Sequence, residues 1–147
     1  MKKKLKLLHT SDIHLDDNIG FGLEASPGQV GFKAVIDEAI KREVDLFLLA
    51  GDLFDHNRVK QPCLDFTTEQ LARLRCPVVM ITGNHDCLAD YSVYHRYDPK
   101  EAGPHIKLIM KNILKIFILI FILSGFTFAD EVKIFEFTES ELSKLDV

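Results

Sequence analysis

Two continuous apolar runs constrain the fold of this chain most strongly, because each ends at a glycine that polar residues follow. Residues 45–50 read Asp-Leu-Phe-Leu-Leu-Ala before Gly51, and residues 77–82 read Pro-Val-Val-Met-Ile-Thr before Gly83. Apolar runs of this length without polar alternation are typical of strands buried on both faces of a parallel sheet. The chain is therefore expected to build its core around two central parallel strands.

The segments around these runs predict two helices and two further strands. Short apolar runs at 4–9 and 106–109 are candidate strands. Pro62 suits the first turn of a helix whose inward residues would be Leu64, Leu71 and Leu74. One face of the earlier helix would carry Phe32, Val35, Ile36, Ala39 and Ile40. The resulting β-α-β-α-β order predicts an α/β fold with a parallel sheet and right-handed crossovers.

Composition is that of a soluble globular domain. Of the 147 residues, 47% are hydrophobic and 27% are charged, which excludes a disordered chain. The net charge of -4 gives no support to a nucleic-acid partner, although metal ions can hold phosphates in an acidic site. Three cysteines without a Cys-x-x-Cys pair indicate free thiols in a reducing compartment. We therefore expect residues 1–109 to be cytoplasmic.

Three polar clusters follow the ends of predicted strands. They are residues 12–14 (Asp-Ile-His), 51–55 (Gly-Asp-Leu-Phe-Asp) and 83–86 (Gly-Asn-His-Asp). Because the carboxyl ends of parallel strands share one edge of a sheet, these clusters should converge there. Carboxylate, amide and imidazole groups are ligands for manganese, iron or zinc. Asp52 follows a central strand, so it is the best candidate to bridge two ions.

Each cluster taken alone also fits an ordinary turn. Asp-x-His is typical of a capped loop, and Gly-Asp and Gly-Asn are common turn dipeptides. Their occurrence together, in this order and at three strand ends, favours one metal site over three unrelated turns.

The three clusters resemble the opening motifs of the calcineurin-like metallophosphoesterase superfamily. The wider stretches 9–15 (His-Thr-Ser-Asp-Ile-His-Leu) and 50–56 (Ala-Gly-Asp-Leu-Phe-Asp-His) are similar to the SbcD-like nuclease subunit of DNA double-strand-break repair. The resemblance covers residues 1–109. It implies the N-terminal half of an αββα sandwich, with a mostly parallel sheet and flanking helices.

The resemblance also implies site residues, cofactors and partners. The implied metal ligands are Asp12, His14, Asp52 and Asn84, and the implied catalytic residues are His85 and Asp86. His85 would donate a proton or stabilise charge near the leaving group, and Asp86 would orient His85. Asp55 and His56 are interpreted as supporting residues. The implied cofactors are two divalent ions, with manganese favoured over iron or zinc. The implied partners are DNA and an SbcC-like ATPase.

The chain departs from this family pattern after residue 109. The family completes its site with later histidines, including a Gly-His-x-His motif, whereas the last histidine here is His105. We therefore expect an incomplete domain, and a DNA exonuclease or endonuclease that is inactive as this chain. The alternatives are a phosphoesterase for a small phosphoester, or a non-catalytic truncated or chimeric product with a membrane-seeking tail.

Composition changes at Met110, because every arginine, histidine, cysteine and proline precedes it. Residues 110–129 have a basic start, an apolar run and a Thr-Phe-Ala ending, the order of a secretory signal peptide. The run is shorter than the ~20 residues that span a bilayer. We therefore predict a boundary at 110, a signal-like segment over 110–129 and an unrelated tail over 130–147 with a strand at 132–137. The alternative is a buried strand pair of the same domain.

Overall fold

The computed structural model describes residues 4–18, 24–109 and 133–138, the last of these by its backbone alone. The main elements are β1 Lys4–Thr10, α1 Pro27–Lys41, β2 Leu46–Ala50, α2 Gln61–Ala72, β3 Val78–Ile81, β4 Ile106–Ile109 and β5 Lys133–Thr138. Two short 3-10 helices, Val93–His95 and Pro99–Ala102, lie between β3 and β4.

The strands form one sheet in the order β4-β3-β2-β1-β5. The pairs β1–β2, β2–β3 and β3–β4 are parallel, and β5 is antiparallel to β1. The prediction of an α/β fold with a mostly parallel sheet and flanking helices is confirmed. This architecture is consistent with the N-terminal half of a metallophosphoesterase fold. The strand predicted over 132–137 is also present, as β5.

One face of the sheet forms the main core together with the two helices. The pairing register places Leu8, Phe47, Val78 and Ile106 in one row across β1 to β4, and each is at most 1% exposed. The buried helical residues that join this core are Phe32, Val35, Ile36 and Ala39 of α1 and Cys63, Leu64 and Leu71 of α2. The apolar runs are therefore central strands, as their lack of polar alternation predicted.

The first helix begins where the sequence provides a strong cap. Ser26 accepts a hydrogen bond from the Gln29 amide at 3.3 Å, and the Gln29 side chain accepts one from the Ser26 amide at 3.1 Å. This reciprocal pair satisfies two amides that the helix itself leaves open. The prediction for Ile40 was wrong, because this side chain is 43% exposed. It lies in the last turn beside the exposed Lys41, so the buried face of α1 ends at Ala39.

The predicted boundary at residue 110 and the signal-like segment over 110–129 lie outside the described residues and stay predictions. The tail over 130–147 is described only at 133–138. Within the described parts of the chain, no helix has both the length and the apolar character needed to cross a bilayer.

Candidate metal centre

The first two polar clusters are joined by backbone hydrogen bonds that continue the pairing of β1 and β2 beyond the strands. The Asp12 amide donates to the Gly51 carbonyl at 3.2 Å, and the His14 amide donates to the Asp52 carbonyl at 3.0 Å. The Leu15 amide follows with a 2.8 Å bond to the carbonyl of the residue after Asp52. Backbone hydrogen bonds therefore hold the first two clusters together at the carboxyl edge of the sheet.

Three of the predicted ligands have left-handed backbone conformations. The φ angles of Asp12, His14 and Asp52 are 54°, 51° and 50°. This region costs an L-residue roughly 1–2 kcal/mol, although short polar side chains tolerate it best. Among the described non-glycine residues, only Glu43 shares it. Strain concentrated on three potential ligands is typical of functional sites, where the surrounding structure enforces it.

Gly51 and Gly83 are required for different reasons. Gly51 has a φ of 93°, so it turns the chain sharply out of β2. A side chain at Gly83 would overlap the Asp52 carboxylate, which occupies that space. The requirement at Gly83 is therefore room for the Asp52 carboxylate rather than an unusual dihedral angle.

The geometry of Asp12, His14 and Asp52 fits one metal ion. One potential ligand atom from each residue lies within 4.8 Å of the others. Ligands bound at about 2.0–2.2 Å to one ion lie within about 4.4 Å of each other, so little adjustment is needed. His14 Nδ1 is buried, and its 3.3 Å contact with Asp55 Oδ1 does not have hydrogen-bond geometry. An imidazole that lacks a hydrogen bond there is suited to a metal.

Asn84 and His85 follow β3, and both line one cavity beside the site. The His85 amide donates to Asp52 Oδ1 at 2.8 Å, which ties the third cluster to the second. The structure therefore brings Asn84 to the edge that holds the other three predicted ligands. Its role as a ligand stays a prediction.

The imidazole of His85 is oriented by the second cluster. Its Nδ1 lies 2.8 Å from the Asp55 carbonyl. Because a carbonyl only accepts, Nδ1 carries a proton and Nε2 is left for other contacts. This hydrogen bond raises the pKa of His85, and the charges of Asp52, Asp55 and Asp86 raise it further against the opposing effect of desolvation. The ring also meets His14 edge-on, with centroids 4.7 Å apart.

Asp55 has a closer place in the site than the sequence indicated. Potential ligand atoms of His14, Asp55 and His85 form a second cluster within 4.8 Å, which shares His14 with the first. The signal in the sequence was the spacing, because Asp55 lies three residues after Asp52 on the same loop. The Asp55 carboxylate can therefore lie in the same site as the Asp52 carboxylate.

Asp86 is fully buried and links the second and third clusters. Its Oδ1 accepts from the Gly83 amide at 2.6 Å, and its Oδ2 accepts from the Leu53 amide at 3.0 Å and the Phe54 amide at 3.4 Å. The Tyr94 hydroxyl donates to Oδ2 at 2.8 Å. Burial raises the pKa of Tyr94, and the Asp86 charge adds to this effect, so the hydroxyl keeps its proton. The Asp86 carboxylate therefore supports the loop that carries His85, while Asp55 contacts the imidazole itself.

A family model described as calcineurin-like phosphoesterase matches residues 5–143. The chain belongs to the calcineurin-like phosphoesterase family. Members of this family are hydrolases that bind divalent metals, and the clusters of aspartate and histidine described above fit that property. The resemblance on which the sequence interpretation depended is thereby confirmed.

Several curated proteins are similar to part of the chain. YhaO of Bacillus subtilis, described as an uncharacterised metallophosphoesterase, is 34% identical over 101 residues, which are 60% of this chain and 24% of that protein. The DNA double-strand break repair protein Mre11 of Sulfurisphaera tokodaii is 31% identical over 113 residues, 74% of this chain and 29% of that protein. A subunit of the nuclease SbcCD of Escherichia coli K12 is 28% identical over 88 residues, 58% of this chain and 22% of that protein.

The matched region is thus less than a third of each of these relatives. Among solved structures, the nuclease MPE of Pseudomonas putida superposes with a TM-score of 0.50 at 20% identity. That match covers 70% of this chain and 46% of the other. At this identity the likeness shows the fold alone.

Proposed function

We propose that Asp12, His14, Asp52 and Asn84 hold divalent metal in a phosphodiesterase that acts on DNA. One observation carries this proposal: potential ligand atoms of the first three residues lie within 4.8 Å at the edge that also holds His85. The relatives described as a DNA double-strand break repair protein and a nuclease subunit support DNA as the substrate.

A pair of divalent ions at such a site would supply water activation and charge neutralisation for phosphoryl transfer. The mixture of carboxylate, amide and imidazole ligands favours manganese, with iron and zinc as alternatives. His85 donates its Nδ1 proton to the Asp55 carbonyl, which leaves Nε2 available to the substrate. We assign proton donation to the leaving oxygen to this Nε2. Asp86 maintains this arrangement through the His85 loop.

The activity of the 147-residue chain itself is a separate proposal. The sequence provides four of the ligands implied by the family and no histidine after His105. We expect the isolated chain to bind at most one ion weakly and to show no appreciable turnover. In a complete enzyme of this type, an SbcC-like ATPase would be the partner, as the name of the SbcCD nuclease suggests.

Calorimetry with manganese tests the site, and Asp52→Asn is the sharpest variant because it keeps an oxygen acceptor for the His85 amide. We expect one weak site in the wild type and none in Asp52→Asn, whereas Asp65→Asn on the exposed surface of α2 should bind normally. Nuclease assays on linear duplex DNA should give the same result for the wild type and His85→Ala. Absence of manganese binding by the wild type contradicts the ligand assignment. Turnover above the His85→Ala background shows that another molecule, such as a second copy, supplies ligands.

A small phosphoester is the second candidate substrate, and the net charge of -4 is the observation that favours it. A nucleic-acid surface is usually basic. If another source of ligands restores turnover, hydrolysis of a nitrophenyl phosphodiester but not of DNA would favour this candidate.

For residues 110–129 we propose a secretory signal that acts when Met110 is the start of its own, unrelated protein, and for residues 1–109 we propose a cytoplasmic location. The basic start, the apolar run and the Thr-Phe-Ala ending support it. The pairing of β5 with β1 supports the alternative of one continuous domain. A bacterial reporter fused after residues 110–147 should be exported and cleaved after Ala129. An uncleaved cytoplasmic reporter favours the single domain.

A further inference from the structure

A groove extends from His85 to Arg58 and Tyr91, two residues that none of the proposed roles uses. Its cavity measures about 460 Å³, and Asn84 and His85 line one part of it. Another part is lined by Arg58 and Tyr91, which have no assigned role, and by His56, a predicted supporting residue. A volume of this size lies within the range of pockets that enclose a small ligand or one unit of a polymer.

The loops that form this groove are fixed to each other by a buried side chain. Asn57, which is 7% exposed, accepts a hydrogen bond from the Val93 amide at 2.9 Å, and its amide group contacts Cys87 Sγ at 3.7 Å. The guanidinium of Arg96 donates to the carbonyls of Asn57 and Val59. These bonds join residues 55–59 to residues 87–96. The groove is therefore formed before any ligand binds, which reduces the entropic cost of binding.

Two groups in this groove have unused binding capacity. The Tyr91 side chain is 71% exposed, the largest value among the exposed large hydrophobic residues of the described chain. The Arg58 guanidinium has no hydrogen-bond or ion-pair partner within the described residues, and Arg58 is exposed. An exposed aromatic ring offers a stacking surface to any nucleobase, and a guanidinium matches the geometry of a phosphate.

We propose that this groove is a nucleotide subsite in which an unpaired base stacks on Tyr91 and Arg58 contacts the phosphate of the same strand. The inference rests on the proposed function and narrows its substrate. A base inside a duplex is already stacked on both faces, so the unpaired base on Tyr91 belongs to a single-stranded or frayed segment. The positive guanidinium complements the negative charge of the strand, whereas the carboxylates beyond His85 would bind metal ions.

Binding of a short single-stranded oligonucleotide to the full 147-residue chain tests the subsite. The oligonucleotide carries 2-aminopurine, whose fluorescence is quenched by stacking, and EDTA prevents hydrolysis. Tyr91→Ala should weaken binding about ten-fold or more, and Tyr91→Phe should bind like the wild type. An abasic oligonucleotide of equal length should be insensitive to Tyr91→Ala. Arg58→Gln should weaken both ligands and lower the salt slope of binding by about 0.7.

Several outcomes overturn the subsite. They are no binding of the oligonucleotide, equal affinities of the wild type and Tyr91→Ala, or a Tyr91 effect of the same size on the abasic strand. A change of oligomeric state in Tyr91→Ala by sedimentation, with binding unchanged, assigns the tyrosine to a contact between copies instead. Because Tyr91 and Arg58 are exposed, their variants are expected to unfold at the wild-type temperature.

The same data separate this inference from the proposed function. Tyr91-dependent binding without any manganese site supports the subsite and contradicts the metal assignment. Manganese binding without Tyr91 dependence leaves the metal assignment intact and removes the subsite.

Discussion

The two edges of the parallel sheet hold their charged groups in opposite ways. At the carboxyl edge, Asp86 is fully buried and accepts four hydrogen bonds from neighbouring loops. At the amino edge, the carboxylates at the ends of the helices form exposed pairs, Asp37 with Arg73 and Glu38 with Arg42. A buried acceptor that satisfies several donors determines loop geometry, whereas exposed ion pairs contribute little to stability. Among the described residues, the carboxyl edge therefore holds a buried carboxylate that fixes loop geometry, and the amino edge holds exposed ion pairs.

The largest expected effect comes from the carboxylate of Asp86. Asp86→Ala leaves three amides and the Tyr94 hydroxyl without their acceptor in a buried site, so we expect it to lower the free energy of unfolding by about 3–5 kcal/mol. Urea denaturation followed by circular dichroism measures this loss. Tyr94→Phe removes a single donor and should lower it by about 1 kcal/mol. A loss in Asp86→Ala no larger than that of Tyr94→Phe contradicts the linking role of the carboxylate.

An intermediate effect is expected from relief of the left-handed backbone at the carboxyl edge. Glycine at position 12 removes the strain at φ 54°, so Asp12→Gly should raise the free energy of unfolding by about 1 kcal/mol while abolishing manganese binding. Glu43→Gly is the matched control, because Glu43 has a φ of 52° in the turn after α1, at the opposite end of β2 from the cluster of residues 51–55. It should gain similar stability and keep the metal. A loss of stability in Asp12→Gly alone argues that the conformation is not strained.

The smallest expected effect lies at the amino edge. The hydrogen bond from Arg73 lowers the pKa of Asp37, with a further contribution from Lys33. Any stabilisation from the pair is therefore present at neutral pH and is lost as the pH falls through the lowered pKa. Both side chains are exposed and screened by solvent, so Asp37→Asn should unfold at the wild-type temperature in thermal denaturation at neutral pH. A clear destabilisation that salt suppresses contradicts the contrast between the two edges.

Much of the fold was predictable because it depends on local patterns. Unbroken apolar runs predicted β2 and β3, and strand ends followed by Asp-x-His, Gly-Asp and Gly-Asn-His-Asp predicted where these polar side chains converge. Periodicity predicted the buried face of α1 but extended it one residue too far, to Ile40. That error arose because a periodic pattern does not show where a helix stops contacting the sheet.

The site was less predictable wherever a side chain serves residues far away in the chain. Asp86 contacts Leu53 and Phe54 more than thirty positions earlier, and its hydrogen-bond partners leave no mark on the local sequence. The supporting role predicted for Asp55 did not include its carbonyl contact with the His85 ring. The groove was not predicted at all, since Arg58 and Tyr91 lie in segments that have the composition of ordinary polar loops.

The sequence by itself determined the family, the α/β class and the three clusters at one edge, because these follow from short-range patterns of apolar, turn-forming and ligand-type residues. Only the tertiary structure decided the left-handed conformations of Asp12, His14 and Asp52 and the overlap that requires glycine at position 83. The tertiary structure alone also decided that the Asn57 side chain joins the two loops of the groove through its hydrogen bonds. These features depend on how loops from different strands pack against one another, and that packing exists only once the sheet has formed.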